Sequence, residues 1–98
     1  MKKTLDEIKD ILVKHKSLLH EKYSVAIIGI FGSYVRNEQK ETSDLDILVE
    51  FNKPVSLLHL VSCENYLSDL LDIKVDVVPK KNIRKELKDH ILNEAVPV

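Results

Sequence analysis

Three aspartates and one turn carry the residue types in this chain that could do chemistry together. Ser43-Asp44-Leu45-Asp46 opens an apolar run that continues to Phe51. In a strand, residues two apart share a face, so Asp44 and Asp46 project together while Leu45, Ile47, Val49 and Phe51 take the other side. Neighbouring carboxylates repel each other unless a cation lies between them, and their hard oxygens suit Mg²⁺. Upstream, Gly32 ends a β-branched run from Val25 to Phe31 and permits a sharp turn. Ser33 follows as an N-cap for a short helix through Tyr34, Val35 and Arg36. A helix start offers free N–H groups and a positive dipole end to a phosphate oxygen, and Arg36 adds charge one turn in.

Neither half is specific alone. Eight aspartates placed at random in 98 residues would give roughly 0.6 Asp-x-Asp pairs. A Gly-Ser step after an apolar run is an ordinary strand-to-helix turn. Together they point further, because antiparallel neighbouring strands would bring Ser33 and Asp44 to one end of a sheet. Asp76 supports this, lying inside the short apolar run Lys74-Val75-Asp76-Val77-Val78. A helical crossover from the Asp46 strand makes this strand its parallel neighbour and brings Asp76 near the level of the aspartate pair. A charge in so apolar a strand is costly unless it is paired, metal-bound or at an edge. Three convergent carboxylates beside a phosphate seat suit nucleotidyl transfer.

The elements that must position these residues follow from periodicity. Leu5, Ile8, Leu12 and Leu19 recur at helical spacing, which predicts an amphipathic helix over 4–22. Two strands, separated by the short Ser33 helix and a polar loop at 37–42, come next. Pro54 ends the second strand, and Ser56 caps a helix that runs to Leu71. The third strand spans 74–78 and Pro79 closes it; Asn82 is the expected cap of a last helix containing Ile83, Leu87 and Ile91. The order α-β-α-β-α-β-α predicts an α/β (α+β) domain over 1–98, with helices packed on a small mixed β-sheet.

Composition narrows the function classes. Net charge is −1, from 15 basic and 16 acidic residues, so bulk electrostatics give no sign of direct nucleic-acid binding. No apolar run approaches the ~20 residues that span a membrane, and no secretory pattern follows Met1-Lys2-Lys3. A single cysteine forbids an internal disulfide and fits a reducing cytoplasm. His15, His20, His59 and His90 lack ligand-like spacing, and Cys63 falls on the apolar stripe of its helix. Lys80, Lys81, Arg84, Lys85 and Lys88 form a basic cluster. It reads first as a solvated helix face, with contact to phosphates or to an acidic partner as the other readings.

Gly32-Ser33, then Ser43-Asp44-x-Asp46 and a later Asp76, resembles the minimal nucleotidyltransferases of the DNA polymerase beta superfamily. Within them the chain is most similar to MntA-type antitoxins, which work with HEPN-domain toxins. The likeness covers nearly the whole chain and implies a polymerase beta-like fold. It also implies two Mg²⁺ ions on Asp44, Asp46 and Asp76, and ATP phosphates held at Gly32 and Ser33. The implied reaction is transfer of AMP from ATP to a tyrosine of a partner HEPN toxin, which silences it, in a hetero-oligomer with that toxin. Val35 and Asn37 depart from the family's Ala-Arg-Gly sequence around the arginine, without removing a metal ligand. No stretch is left over for an acceptor-binding domain, which favours a folded protein as acceptor. Two other readings remain: an antitoxin that works by binding alone, and a nucleotidyltransferase acting on RNA ends or a small molecule.

Overall fold

The computed structural model describes residues 4–32, 34–36 and 44–98. The elements in order are α1 (Leu5–Tyr23), β1 (Val25–Phe31), β2 (Leu45–Phe51), α2 (Leu57–Leu71), β3 (Val75–Pro79), a single 3₁₀ turn (Lys80–Asn82), α3 (Lys85–Glu94) and β4 (Val96–Pro97). The four strands form one mixed sheet in the order β3-β2-β1-β4. Both β2 and β4 run antiparallel to β1, while β3 runs parallel to β2 through the α2 crossover.

Local chemistry explains the helix boundaries. Thr4 and Glu7 form a capping box at the start of α1, the Thr4 hydroxyl accepting the Glu7 N–H at 3.2 Å. Ser56 caps α2 in the expected way, accepting the His59 N–H at 3.1 Å. Ser24 and Asp72 end these two helices in the left-handed conformation usually taken by glycine. The third helix departs from expectation. Asn82 belongs to the 3₁₀ turn, and α3 begins after Arg84 with no side-chain cap. The expected Ser33 cap lies outside the described residues. Residues 34–36 form one turn, with the Val35 and Arg36 N–H groups both donating to the Gly32 carbonyl.

The core lies between one face of the sheet and the α1/α2 pair. Ile8, Leu12 and Leu19 of α1 meet Leu67 and Leu71 of α2 over Leu45, Ile47 and Val49 of β2. Tyr34 belongs to this cluster, as does Cys63, whose thiol is pushed up to about 11 chiefly by burial. His59 is also structural. Its Nε2 lies 2.6 Å from the Tyr23 carbonyl, and its ring stands edge-on to Tyr23 and Phe51.

Two details of the sheet matter for what it positions. Ile27 pairs with Val49 and Gly29 with Leu48, leaving Ile28 as an extra residue in β1. This bulge shifts the alternation of the strand, so that both Ile27 and Ile30 are buried. The second detail is the outer edge of β3, whose N–H groups are taken by α2. Ser68 Oγ accepts from Val75 at 2.9 Å and Glu64 Oε2 from Val77 at 3.2 Å. Among the described residues no helix is long and apolar enough to cross a membrane.

Candidate active site

The site is assembled by register. Phe31 pairs with Asp46 across the antiparallel β1–β2 ladder, and Asp46 pairs with Asp76 across the parallel β2–β3 ladder. Paired residues point to the same face, so the end of β1 and the starts of β2 and β3 bring Asp46 beside Asp76. Leu45, Ile47, Val75 and Val77 fill the opposite, buried face, which leaves the aspartates on the other one; Leu48 on that face is buried, while Asp76 is exposed. Asp44 stands immediately before β2, 3.9 Å from the Lys74 ammonium.

Gly32 is required where it stands. Its φ is +86°, and a Cβ there would overlap Asp46 Oδ2 and lie 3.2 Å from Asp46 Cγ. Only a residue without a side chain lets the turn lie directly against this carboxylate. The turn and the carboxylates are therefore one surface. Ser33 lies outside the described residues.

The electrostatics show crowding. Burial pushes Asp46 up from 3.8 to about 6, with the charges of Asp76 and Asp44 adding to the effect, while Arg36 opposes it. Asp44 likewise raises Tyr34, after burial. Among the described residues, no three His, Cys, Asp or Glu side chains are gathered into a ready metal cage. The donors themselves fit a hard divalent cation. They are carboxylate oxygens on a shared face, and their mutual repulsion is what such a cation relieves.

Three residues add to the expected set or alter it. Arg36, expected to add charge at the phosphate seat, has its guanidinium 2.5 Å from Glu94 Oε1 at the end of α3. Glu94, whose side chain is only 16% exposed, also lies 3.6 Å from His90 and raises Asp46. Glu64 of α2 sits beside Asp76; burial raises its pKa most, the Val77 N–H lowers it, and Asp76 raises it further. No spacing in the sequence singles out Glu64 or Glu94, because the α2 crossover and the β4 return bring them in. The basic cluster lies elsewhere. Lys80, Lys81 and Lys88 line a hollow with Glu50 and Phe51, at the opposite ends of β2 and β3 from Asp46 and Asp76.

Comparisons with known proteins agree with this geometry. Residues 5–98 match the family model described as a nucleotidyltransferase domain. A Methanocaldococcus jannaschii protein, provisionally named a protein adenylyltransferase, is 64% identical over 81 residues, 83% of each chain. The protein adenylyltransferase MntA of Thermococcus cleftensis is 47% identical over 95 residues, 97% of this chain and 96% of that one. A solved structure provisionally described as a minimal nucleotidyltransferase superposes with a TM-score of 0.81 at 30% identity, covering 98% of this chain and 97% of its own. A toxin–antitoxin crystal structure with AMP-PNP shares the fold, with a TM-score of 0.73 at 23% identity over 91% of this chain and 70% of that one.

Proposed function

The chain belongs to the nucleotidyltransferase domain family, and on that footing we propose that it transfers AMP from ATP to a hydroxyl of a partner toxin protein. The observation that carries this reading is the register that sets Asp46 beside both Asp76 and the Gly32 turn. Relatives named protein adenylyltransferases support the transferred group and a protein acceptor. Toxin–antitoxin structures sharing the fold, one of them with AMP-PNP, support the toxin as partner and the nucleotide as donor. A tyrosine of a HEPN-type toxin is the acceptor we assign.

In this reading Asp44, Asp46 and Asp76 hold two Mg²⁺ ions. Bound there, the metal supplies neutralisation of the phosphate oxygens and a lowered pKa for the acceptor hydroxyl. The turn at Gly32, with Ser33 and Arg36, binds the triphosphate and aims its α-phosphorus at the aspartate-bearing face of the sheet. Glu94 holds the Arg36 guanidinium beside Asp46. Asp76, exposed at the edge of the sheet, takes the acceptor proton on a carboxylate oxygen. The acceptor oxygen then forms a bond to the α-phosphorus, the α–β phosphoanhydride bond breaks, and pyrophosphate leaves.

The test uses ATP labelled on the α-phosphate, Mg²⁺, the purified chain and lysate from its source cells. A labelled protein band is expected, absent with the Asp44→Ala, Asp46→Ala variant. Label arriving only from the γ-phosphate would mean a kinase, and transfer surviving both substitutions would remove the aspartates from the reaction.

A further inference from the structure

The end of the sheet remote from the aspartates carries a second surface. Two adjoining hollows of about 300 and 330 Å³ share Phe51, Pro79 and Lys81. The first is ringed by Lys80, Lys81 and Lys88, with Glu50 on its wall. The second is lined by Phe51, Val55, Leu57 and Leu60, with Ser56, Lys81 and Asn82 among them. Beside it the first turn of α2 presents Leu57 at 75%, Leu58 at 80% and Val61 at 41% exposure. Val61 neighbours both leucines on the helix surface, at i+4 from Leu57 and i+3 from Leu58. Residues 80–88 bring five basic side chains and one acid to the same end, in a chain whose net charge is −1.

Exposed leucines at this density mark a contact surface rather than a solvated face. The charges decide what fits it. A lysine rim beside a mainly apolar trough complements a segment that carries apolar anchors flanked by carboxylates. Phosphate backbones fit less well, since the trough offers leucines where nucleic acid would need polar contacts. The trough suits a helix laid along it with anchors at i, i+3 or i+4, and i+7.

We propose that this surface docks an acidic amphipathic helix of a partner protein, about 10–17 Å along the strands from the aspartates. Docking there leaves the face at Asp46 and Asp76 free. The inference does not depend on the transfer reaction, and its test reads binding alone.

Two 15-residue helical peptides serve as probes. They carry the same leucine anchors, with glutamate flanks in one and lysine flanks in the other. Each is titrated into the ¹⁵N-labelled full chain while backbone resonances are followed. The glutamate peptide should shift Phe51, Leu57, Leu58, Lys81 and Lys88, leave Gly32 and Asp46 unmoved, and bind at least about tenfold tighter than its lysine twin. Lys81→Glu with Lys88→Glu should reverse that preference, and Leu57→Ser with Leu58→Ser should weaken both peptides. All four side chains are exposed, so these variants should fold. Equal binding of the twins, no shifts, or shifts centred on Gly32 would overturn the proposal. So would the same shifts produced by phosphatidylglycerol vesicles and not by the peptide, which would make this a membrane-facing surface.

Discussion

Replacing Asp46 by asparagine should make the protein more stable near neutral pH while abolishing transfer. The displacement of Asp46 from 3.8 to about 6 corresponds to at most about 3 kcal/mol at 1.36 kcal/mol per pH unit. The carboxylate is only half-buried, and solvent screening brings the expected effect to about 1–2 kcal/mol. The sign follows from linkage. A carboxyl that holds its proton more tightly folded than unfolded favours the fold at low pH, and that advantage is lost as pH rises from about 4 through about 6. Asparagine cannot ionise, so the variant should lack this loss. Urea denaturation of both proteins at pH 4 and pH 8 isolates the effect, because any constant cost of the amide cancels between the two pH values. The variant should gain about 1–2 kcal/mol relative to wild type on going from pH 4 to pH 8. At pH 8, Mg²⁺ at ten times its Kd should stabilise only the wild type, by about 1.4 kcal/mol. A stability difference independent of pH, or one moving in the opposite sense, would refute the account of crowded carboxylates.

Two glycine substitutions probe the close approaches on which the site rests. Gly32→Ala forces a side chain onto a φ of +86° and into Asp46; it should cost about 1–3 kcal/mol and reduce adenylyl transfer about a hundredfold. Wild-type melting and rate in that variant would show that the turn does not lie against the carboxylate. Gly29→Ala places a Cβ 2.6 Å from the Val96 carbonyl oxygen and should detach β4 at a cost of about 1–2 kcal/mol. Hydrogen exchange reads this directly, since the Val98 N–H donating to the Ile28 carbonyl should lose its protection.

Where the sequence was legible, one local signal was repeated often enough to outweigh its alternatives. The helical spacing of Ile8, Leu12 and Leu19, the cap at Ser56, and the alternation around Asp46 and Asp76 are each written within a single element. The parallel pairing of β2 and β3 followed from the handedness and length of a helical crossover. What escaped depends on contacts between distant segments. β4 is two residues long and carries no periodicity; its one sign was Gly29, a glycine inside a strand where another backbone comes close. Asn82 looked like a cap because its residue type favours that role, yet the 3₁₀ turn after Pro79 uses it first. Arg36 points to Glu94, 58 residues away, and no spacing rule reaches that far.

The way α2 covers the outer edge of β3 also governs how the molecule behaves in a crowded solution. An open strand edge is a template on which other chains can polymerise. Here the two outward N–H groups of Val75 and Val77 are already satisfied by Ser68 and Glu64, so an incoming strand would first have to strip both bonds. The opposite edge is covered only in part: β4 is two residues long and pairs with Gly29 and Ile30, and among the described residues no strand pairs with Val25–Ile27 on that side. The sheet is thus guarded on its β3 side against the cross-β stacking its valine- and isoleucine-rich strands would otherwise invite. The carboxylate that guards one edge is also a neighbour of Asp76, so protection from aggregation and the charge around the aspartates are coupled through a single glutamate.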